Sequence, residues 1–300
     1  MRVQQIGANR IEKVPEIGRL AVEPSFLFGN ITPEIIARHR DWLGPRLVEP
    51  GTDRLLLSFH SYLIRTAHHT ILVDTCNGNH KNRPSMPAWH MLDTAYLADL
   101  RRLGVAPEDV DFVMCTHLHA DHVGWNTRLS GGRWVPTFPR ARYLMARTEF
   151  EHFNALHQAD PESPVNRGSF ADSVLPVAEH GQVDLVESSH AIERHLEDGV
   201  WLESAPGHSP GNVNVHVKGG GRHAVLSGDV IHHPIQFAEP ALANPADIDK
   251  ALALRTRLTL MRRYADTATV VLTGHFPAPT AGWIRSQGER FRFHFDTEAA

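Results

Sequence analysis

From Leu55 to Leu272 the chain alternates short apolar runs with stretches whose apolar residues recur at helical spacing. Residues 55–64 and 70–73 read as adjacent strands joined through the polar turn 65–69. Residues 91–103 read as a helix stopped by Gly104, and 110–115 and 141–146 as buried strands. Further strands are predicted at 183–187, 200–203, 213–217, 224–226 and 270–272. Asp247 is placed as the cap of a helix running to Tyr264, with Ile248, Ala251, Leu252, Leu258 and Met261 on its inward stripe. Residues 1–50 are punctuated by Pro and Gly, with one short helical piece over 33–42. Residues 147–180 break the rhythm: a helix from Arg147, a turn-rich stretch over 159–168, and a short helix over 170–177. That segment reads as an insertion over the core, forming a lid or pocket wall. Strands and helices mix in both halves with no linker, which predicts one α/β domain of layered type over residues 1–300.

Composition narrows the function. The 300 residues are 42% hydrophobic, with a formal net charge of −4 and scattered Lys and Arg, so no basic footprint for nucleic acid or an anionic membrane is present. Two cysteines, Cys76 and Cys115, make no disulfide framework, and Cys115 reads as a small buried hydrophobe. The N-terminus lacks an apolar signal region and no stretch reaches transmembrane length, so a cytoplasmic protein is expected. The 21 histidines change the picture, because neutral imidazole is the commonest metal ligand. Of these, His68, His69, His90, His152, His157 and His223 lie in polar or loop-like contexts and read as exposed.

The chemistry concentrates in Thr116-His117-Leu118-His119-Ala120-Asp121-His122, directly after the strand 110–115. His117 and His119 alternate along the chain, so their rings can point the same way while Leu118 turns inward. Asp121 and His122 follow after the chain turns and can face a second position. Three more strands end in the same manner: Pro206-Gly207-His208 after 200–203, Ser227-Gly228-Asp229 after 224–226, and Thr273-Gly274-His275 after 270–272. A glycine beside each of these residues lets the backbone turn sharply and approach closely. Four strand ends thus each deliver metal-competent side chains.

This set resembles the metallo-β-lactamase superfamily residue by residue, from about Leu55 to His275. The resemblance implies an αββα sandwich with a dinuclear metal site at one edge. It implies that His117, His119 and His208 hold one divalent ion and Asp121, His122 and His275 a second, with Asp229 bridging them. Val73-Asp74-Thr75 is similar to the family's first motif, so Asp74 is expected to support the ligand loop rather than to bind metal. Zinc is the default for such donors, with manganese, iron or cobalt able to take the same ligands. Two such ions would share a hydroxide, lower its pKa and direct it at an electrophilic carbonyl or phosphorus, with Asp121 passing a proton to the leaving group.

Within the superfamily, the pattern looks like the branch of N-acyl homoserine lactonases and methyl parathion hydrolase. The lactonases carry a tyrosine three residues after the bridging aspartate, and here that position is His232. His232 is therefore a candidate to hydrogen-bond substrate or leaving group, with a packing or supporting role as the alternative; His233 reads as structural. The leading expectation is a metal-dependent hydrolase of small esters, favouring a lactone. A phosphotriesterase is the alternative within the hydrolases, and a mononuclear-iron thiol dioxygenase the alternative from another class. Phe26, Phe28, Trp89, Trp125, Phe138, Phe237 and Phe276 would either line an apolar pocket or close the core. His60 and His80 are weak ligand candidates beside a complete set. The expected partner is a small-molecule ester or lactone, with no nucleic acid and no membrane; a homodimer would use residues 1–50 or 147–180.

Overall fold

A computed structural model describes residues 1–195 and 198–297. It contains two seven-stranded sheets. The first runs in spatial order Gln4–Ile6, Asn9–Val22, Leu55–Arg65, Thr70–Val73, Phe112–Met114, Arg142–Ala146, Val183–Val186. Its last four strands pair in parallel, with Leu72 opposite Val113 and Val113 opposite Tyr143. The second sheet follows chain order from Ala191–His195 to Arg290–Phe295 and is antiparallel apart from one parallel pair, Arg222–Leu226 with Val270–Leu272. Parallel strands buried on both faces explain why these segments read as continuous apolar runs. No helix among the described residues is long and apolar enough to cross a membrane.

The chain divides into two compact units: residues 3–16 with 59–190, and residues 1–2 with 17–58 and 191–300. Each has its own apolar core. Leu63, Leu72, Val113, Tyr143, Met145 and Phe170 belong to the first, and Val225, Ile231, Phe237, Met261, Val271 and Phe276 to the second. The α/β class is as expected, and the strands predicted from 55 to 272 are present to within a few residues.

Several elements differ from expectation, each for a local reason. The helix expected over 91–103 is confined to Tyr96–Arg102, because Met91 is left-handed (φ 50°) and its N–H donates to the Lys81 carbonyl at 2.8 Å. The helix expected over 33–42 runs on to Leu47 through a kink at Gly44, whose φ is 60°. Residues 9–22, read as Pro/Gly-punctuated chain, form a 14-residue strand, and residues 282–295 add a hairpin. The helix Lys250–Tyr264 is capped by Asp249, which accepts from the Leu252 N–H, and not by Asp247. Its buried face is Ala253, Arg257, Leu260, Met261 and Tyr264, so Ile248 and Ala251 lie exposed. The stripe is rotated because the Arg257 guanidinium goes inward to the carbonyls of Val230, Pro240 and Leu242 at 2.7–3.0 Å. Apolar periodicity does not register an arginine that a helix buries.

The 147–180 segment comprises the helix Arg147–Ala159, two short irregular turns and the helix Leu175–Glu179. Asp172 fastens it to the preceding loop through a bidentate pair with the buried Arg83 at 2.7 and 2.8 Å. Lys81, fully buried, donates to Thr127 Oγ1 at 2.6 Å and to the Asp172 carbonyl at 3.0 Å.

Candidate metal centre

The motif residues His117, His119, Asp121 and His122 lie together in the unit built on the first sheet. The strand Phe112–Met114 ends just before them, and Asp121 and His122 stand in the short helix Ala120–Val123 that follows His119. The His117 and His122 rings are 4.0 Å apart centre to centre, His117 Nε2 is 3.1 Å from His119 Nδ1, and His122 Nε2 is 3.7 Å from Asp121 Oδ2. His117 and His122 are buried, and Asp121 is partly so.

Asp74 organises this cluster. One of its oxygens accepts from the Thr116 N–H at 2.7 Å, and the other from the Thr116 hydroxyl at 2.8 Å and His122 Nδ1 at 2.9 Å. The single Thr116 hydroxyl proton is thereby committed to Asp74. Its oxygen must accept from His117 Nδ1, 3.1 Å away. In both histidines the proton sits on Nδ1 and the lone pair on Nε2. Glu149, which carried no sequence signal, supports the same loop: its buried carboxylate accepts from the Leu118 N–H at 3.0 Å. From the 147–180 segment, Asn166 Nδ2 donates to the Leu118 carbonyl at 2.8 Å.

The second unit holds His208, Asp229, His232 and His275, all buried. His208 Nε2 is 3.5 Å, His232 Nε2 3.3 Å and His275 Nε2 3.0 Å from the Asp229 carboxylate. Ligand atoms of His208, Asp229 and His232 lie within 4.8 Å of one another. His208 donates from Nδ1 to Asp247 Oδ1 at 2.8 Å, and His275 from Nδ1 to the Ser58 carbonyl at 3.3 Å. Gly274 makes room for this carboxylate, since a Cβ there would stand 2.8 Å from Asp229 Oδ1.

The donor set fits a cation. With Nδ1 protonated in His208 and His275, each Nε2 turns a lone pair towards a carboxylate. Acceptors facing acceptors in a buried site are reconciled by a metal ion, and imidazoles oriented through their other nitrogen are a hallmark of metal ligands. Asp247 is thus the residue that sequence reasoning misplaced: it is 5% exposed, and it orients His208 instead of capping a helix. Burial pushes its carboxyl up, but the His208 hydrogen bond and the nearby Arg257 guanidinium help to outweigh this and hold it below the usual range.

His232 differs from the other three. Its ring packs against His208 (centroids 4.8 Å) and stacks on His275 (6.0 Å), and its backbone N–H donates to Gln236 Oε1 at 2.8 Å. Burial keeps its pKa below the ordinary histidine value against the pull of Asp229, so the ring is neutral. His233 is structural, as expected: it accepts from the Ile235 N–H and its Nε2 donates to the Leu47 carbonyl at 3.0 Å. Of the seven aromatics, Phe28, Trp89, Trp125, Phe138, Phe237 and Phe276 are buried and only Phe26 is exposed, so the core accounts for most of them. His80 is exposed and His60 buried against Tyr62.

Comparison with known proteins agrees with this picture. Residues 58–275 match the metallo-β-lactamase superfamily. The N-acyl homoserine lactonase AiiB of Agrobacterium fabrum is 24% identical over 290 residues, covering 91% of this chain and 96% of the relative. The N-acyl homoserine lactonase of Bacillus thuringiensis is 27% identical over 169 residues, covering 52% of this chain and 57% of the relative. Among solved structures, the hydrolase AbOPH superposes with a TM-score of 0.77 at 23% identity, covering 98% of both chains. AidC, a dizinc quorum-quenching lactonase, superposes with a TM-score of 0.76 at 19% identity, covering all of this chain and 98% of its own.

Proposed function

The chain belongs to the metallo-β-lactamase superfamily as one of its hydrolases, and we propose that its reaction is the metal-dependent opening of a lactone ring. The observation that carries the proposal is the common orientation of His117, His122, His208 and His275, each with Nδ1 on an oxygen and Nε2 left as a ligand atom. The relatives named N-acyl homoserine lactonases support the lactone.

In this reading His117, His119 and His208 bind one divalent ion, and Asp121, His122 and His275 the other, with Asp229 a ligand to both. Zinc is the first choice, AidC being a dizinc enzyme. When bound, the ions supply Lewis acidity and make a water nucleophilic near neutral pH. The residues do the rest. Water adds to the lactone carbonyl carbon as Asp121 takes one of its protons, the ring C–O bond breaks, and Asp121 hands that proton to the departing alkoxide, giving the hydroxy acid. His232 occupies the place of the lactonase tyrosine. Its neutral ring, with Nε2 against Asp229, suits it to donate to that carboxylate and hold it in place. The 147–180 segment, tied down through Asp172 and Asn166, serves as a fixed wall of the substrate site rather than as a moving lid.

Ring opening releases one acid per turnover, which pH-indicator assay reads directly. An N-acyl homoserine lactone should be opened by the purified protein, and chelation should abolish the activity. Turnover of an aryl phosphotriester with no opening of any lactone would overturn the substrate assignment.

A further inference from the structure

Behind the loop that carries Asp121 and His122 lies a partly buried carboxylate that the chemistry above does not use. Glu16 stands in the strand Asn9–Val22. Its Oε2 accepts from the Asn77 N–H and Asn77 Nδ2, both at 2.9 Å. Its Oε1 accepts from the Gly78 N–H at 3.0 Å and from Trp125 Nε1 at 2.7 Å. Four N–H donors, three from residues 77–78 and one from Trp125 just beyond the helix that carries Asp121 and His122, thus converge on one side chain. Between them the two loops are sewn together. The Thr75 N–H donates to the His122 carbonyl at 2.7 Å, the Gly124 N–H to the Cys76 carbonyl at 2.7 Å, and the Trp125 N–H to the Thr75 carbonyl at 2.8 Å. Contact is so close that a Cβ on Gly124 would lie 1.8 Å from the Asn77 carbonyl oxygen.

We infer that Glu16 is a positioning residue for the metal held by Asp121 and His122, clamping the 75–78 loop against residues 122–125 so that these two ligands keep their aim. The inference rests on the dinuclear reading given above. Only an acceptor with two equivalent oxygens can serve four donors. A glutamine of the same size keeps one oxygen but turns its amide NH₂ onto two of those donors, so the clamp opens on one side without a loss of volume. Trp125 also stacks on Tyr96 (5.4 Å, 16°), so replacing the indole by phenylalanine removes one donor and leaves an aromatic ring in the stack.

The test is stepwise cobalt(II) titration of chelator-treated protein, read by visible absorption, with the melting temperature of the metal-free protein measured alongside. In the unaltered protein two equivalents should bind; fewer than two overturns the dinuclear reading, and this inference with it. With two bound, Glu16→Gln should weaken one equivalent about tenfold and leave the other within twofold. Trp125→Phe should do the same to a smaller extent. Asp247→Asn should weaken the opposite equivalent, identified by its distinct spectrum. If both variants at the clamp bind two equivalents as tightly as the unaltered protein, or lose both in parallel with a fall in metal-free melting temperature, Glu16 only stabilises the fold and the inference fails. If Glu16→Gln does not fold, the Trp125→Phe titration alone decides by the same criteria.

Discussion

Replacing Asp247 by asparagine changes one atom and tests how the second cluster is held. Oδ1 of Asp247 accepts from His208 Nδ1 at 2.8 Å, Oδ2 accepts from the Asn244 N–H at 3.0 Å, and Arg257 Nη2 stands 3.8 Å from Oδ2. An asparagine can keep only one of these hydrogen bonds. If its oxygen faces His208, its amide faces the Asn244 N–H; turned over, the amide faces His208 itself. Either way a buried donor is left against a donor, a loss of about 1–3 kcal/mol. Nε and Nη1 of Arg257 keep their three carbonyls, but its buried Nη2 loses the facing carboxylate charge, so His208 and Arg257 both feel the change. Loss of such a partner typically weakens metal binding by about 10–100-fold, equivalent to ~1.4–2.7 kcal/mol. Competition against a chelator of known affinity measures this directly, and turnover at saturating metal separates lost metal from misplaced metal. An Asp247→Asn protein that binds both ions within twofold of the unaltered one and turns over normally would refute the assignment of Asp247 to His208.

Three further outcomes follow from the same packing. Gly124→Ala should cut both yield of folded protein and metal content, because its Cβ has no space beside Asn77; a normally melting, fully metallated variant would contradict this. Glu149→Ala leaves the buried Leu118 N–H without its carboxylate acceptor and should lower unfolding free energy in urea by about 1–3 kcal/mol. His216, buried beside Trp201 and His223, has its pKa pushed down to about 3, mainly by burial and then by the His223 and Arg263 charges. The unfolded chain therefore binds a proton that the folded chain refuses between about pH 6.5 and about pH 3, and stability falls as pH drops through that window. In chelator-treated protein, His216→Phe should flatten the slope of urea midpoint against pH below 6.5, and an unchanged slope would show that His216 does not contribute.

The fold and the site were legible to different depths. The proposed ligands were readable because each follows an apolar run that ends abruptly, so Phe112–Met114, Arg222–Leu226 and Val270–Leu272 announce His117, Asp229 and His275. The strand Asn9–Val22 was not, because buried charges interrupt its alternation: Glu12 is paired with Arg10 and Arg65, and Glu16 is enclosed by four donors. The last strand, Arg290–Phe295, alternates arginine or histidine with phenylalanine, a period of two that marks a strand. Asp247 and Asp249 are both plausible caps in sequence, and only the position of His208 distinguishes them. Partners that orient ligands, such as Asp247, Glu149 and Glu16, come from distant parts of the chain. Long-range hydrogen bonds to backbone amides leave no periodic trace.

Metal content per chain, by elemental analysis of protein purified without chelator, bears most directly on the central claim. The proposed ligand set of His117, His119, Asp121, His122, His208, Asp229 and His275 predicts close to two divalent ions per chain, falling together with lactone-opening activity on chelation and returning with added zinc. One tightly held iron per chain, with no hydrolysis restored by a second ion, would contradict it.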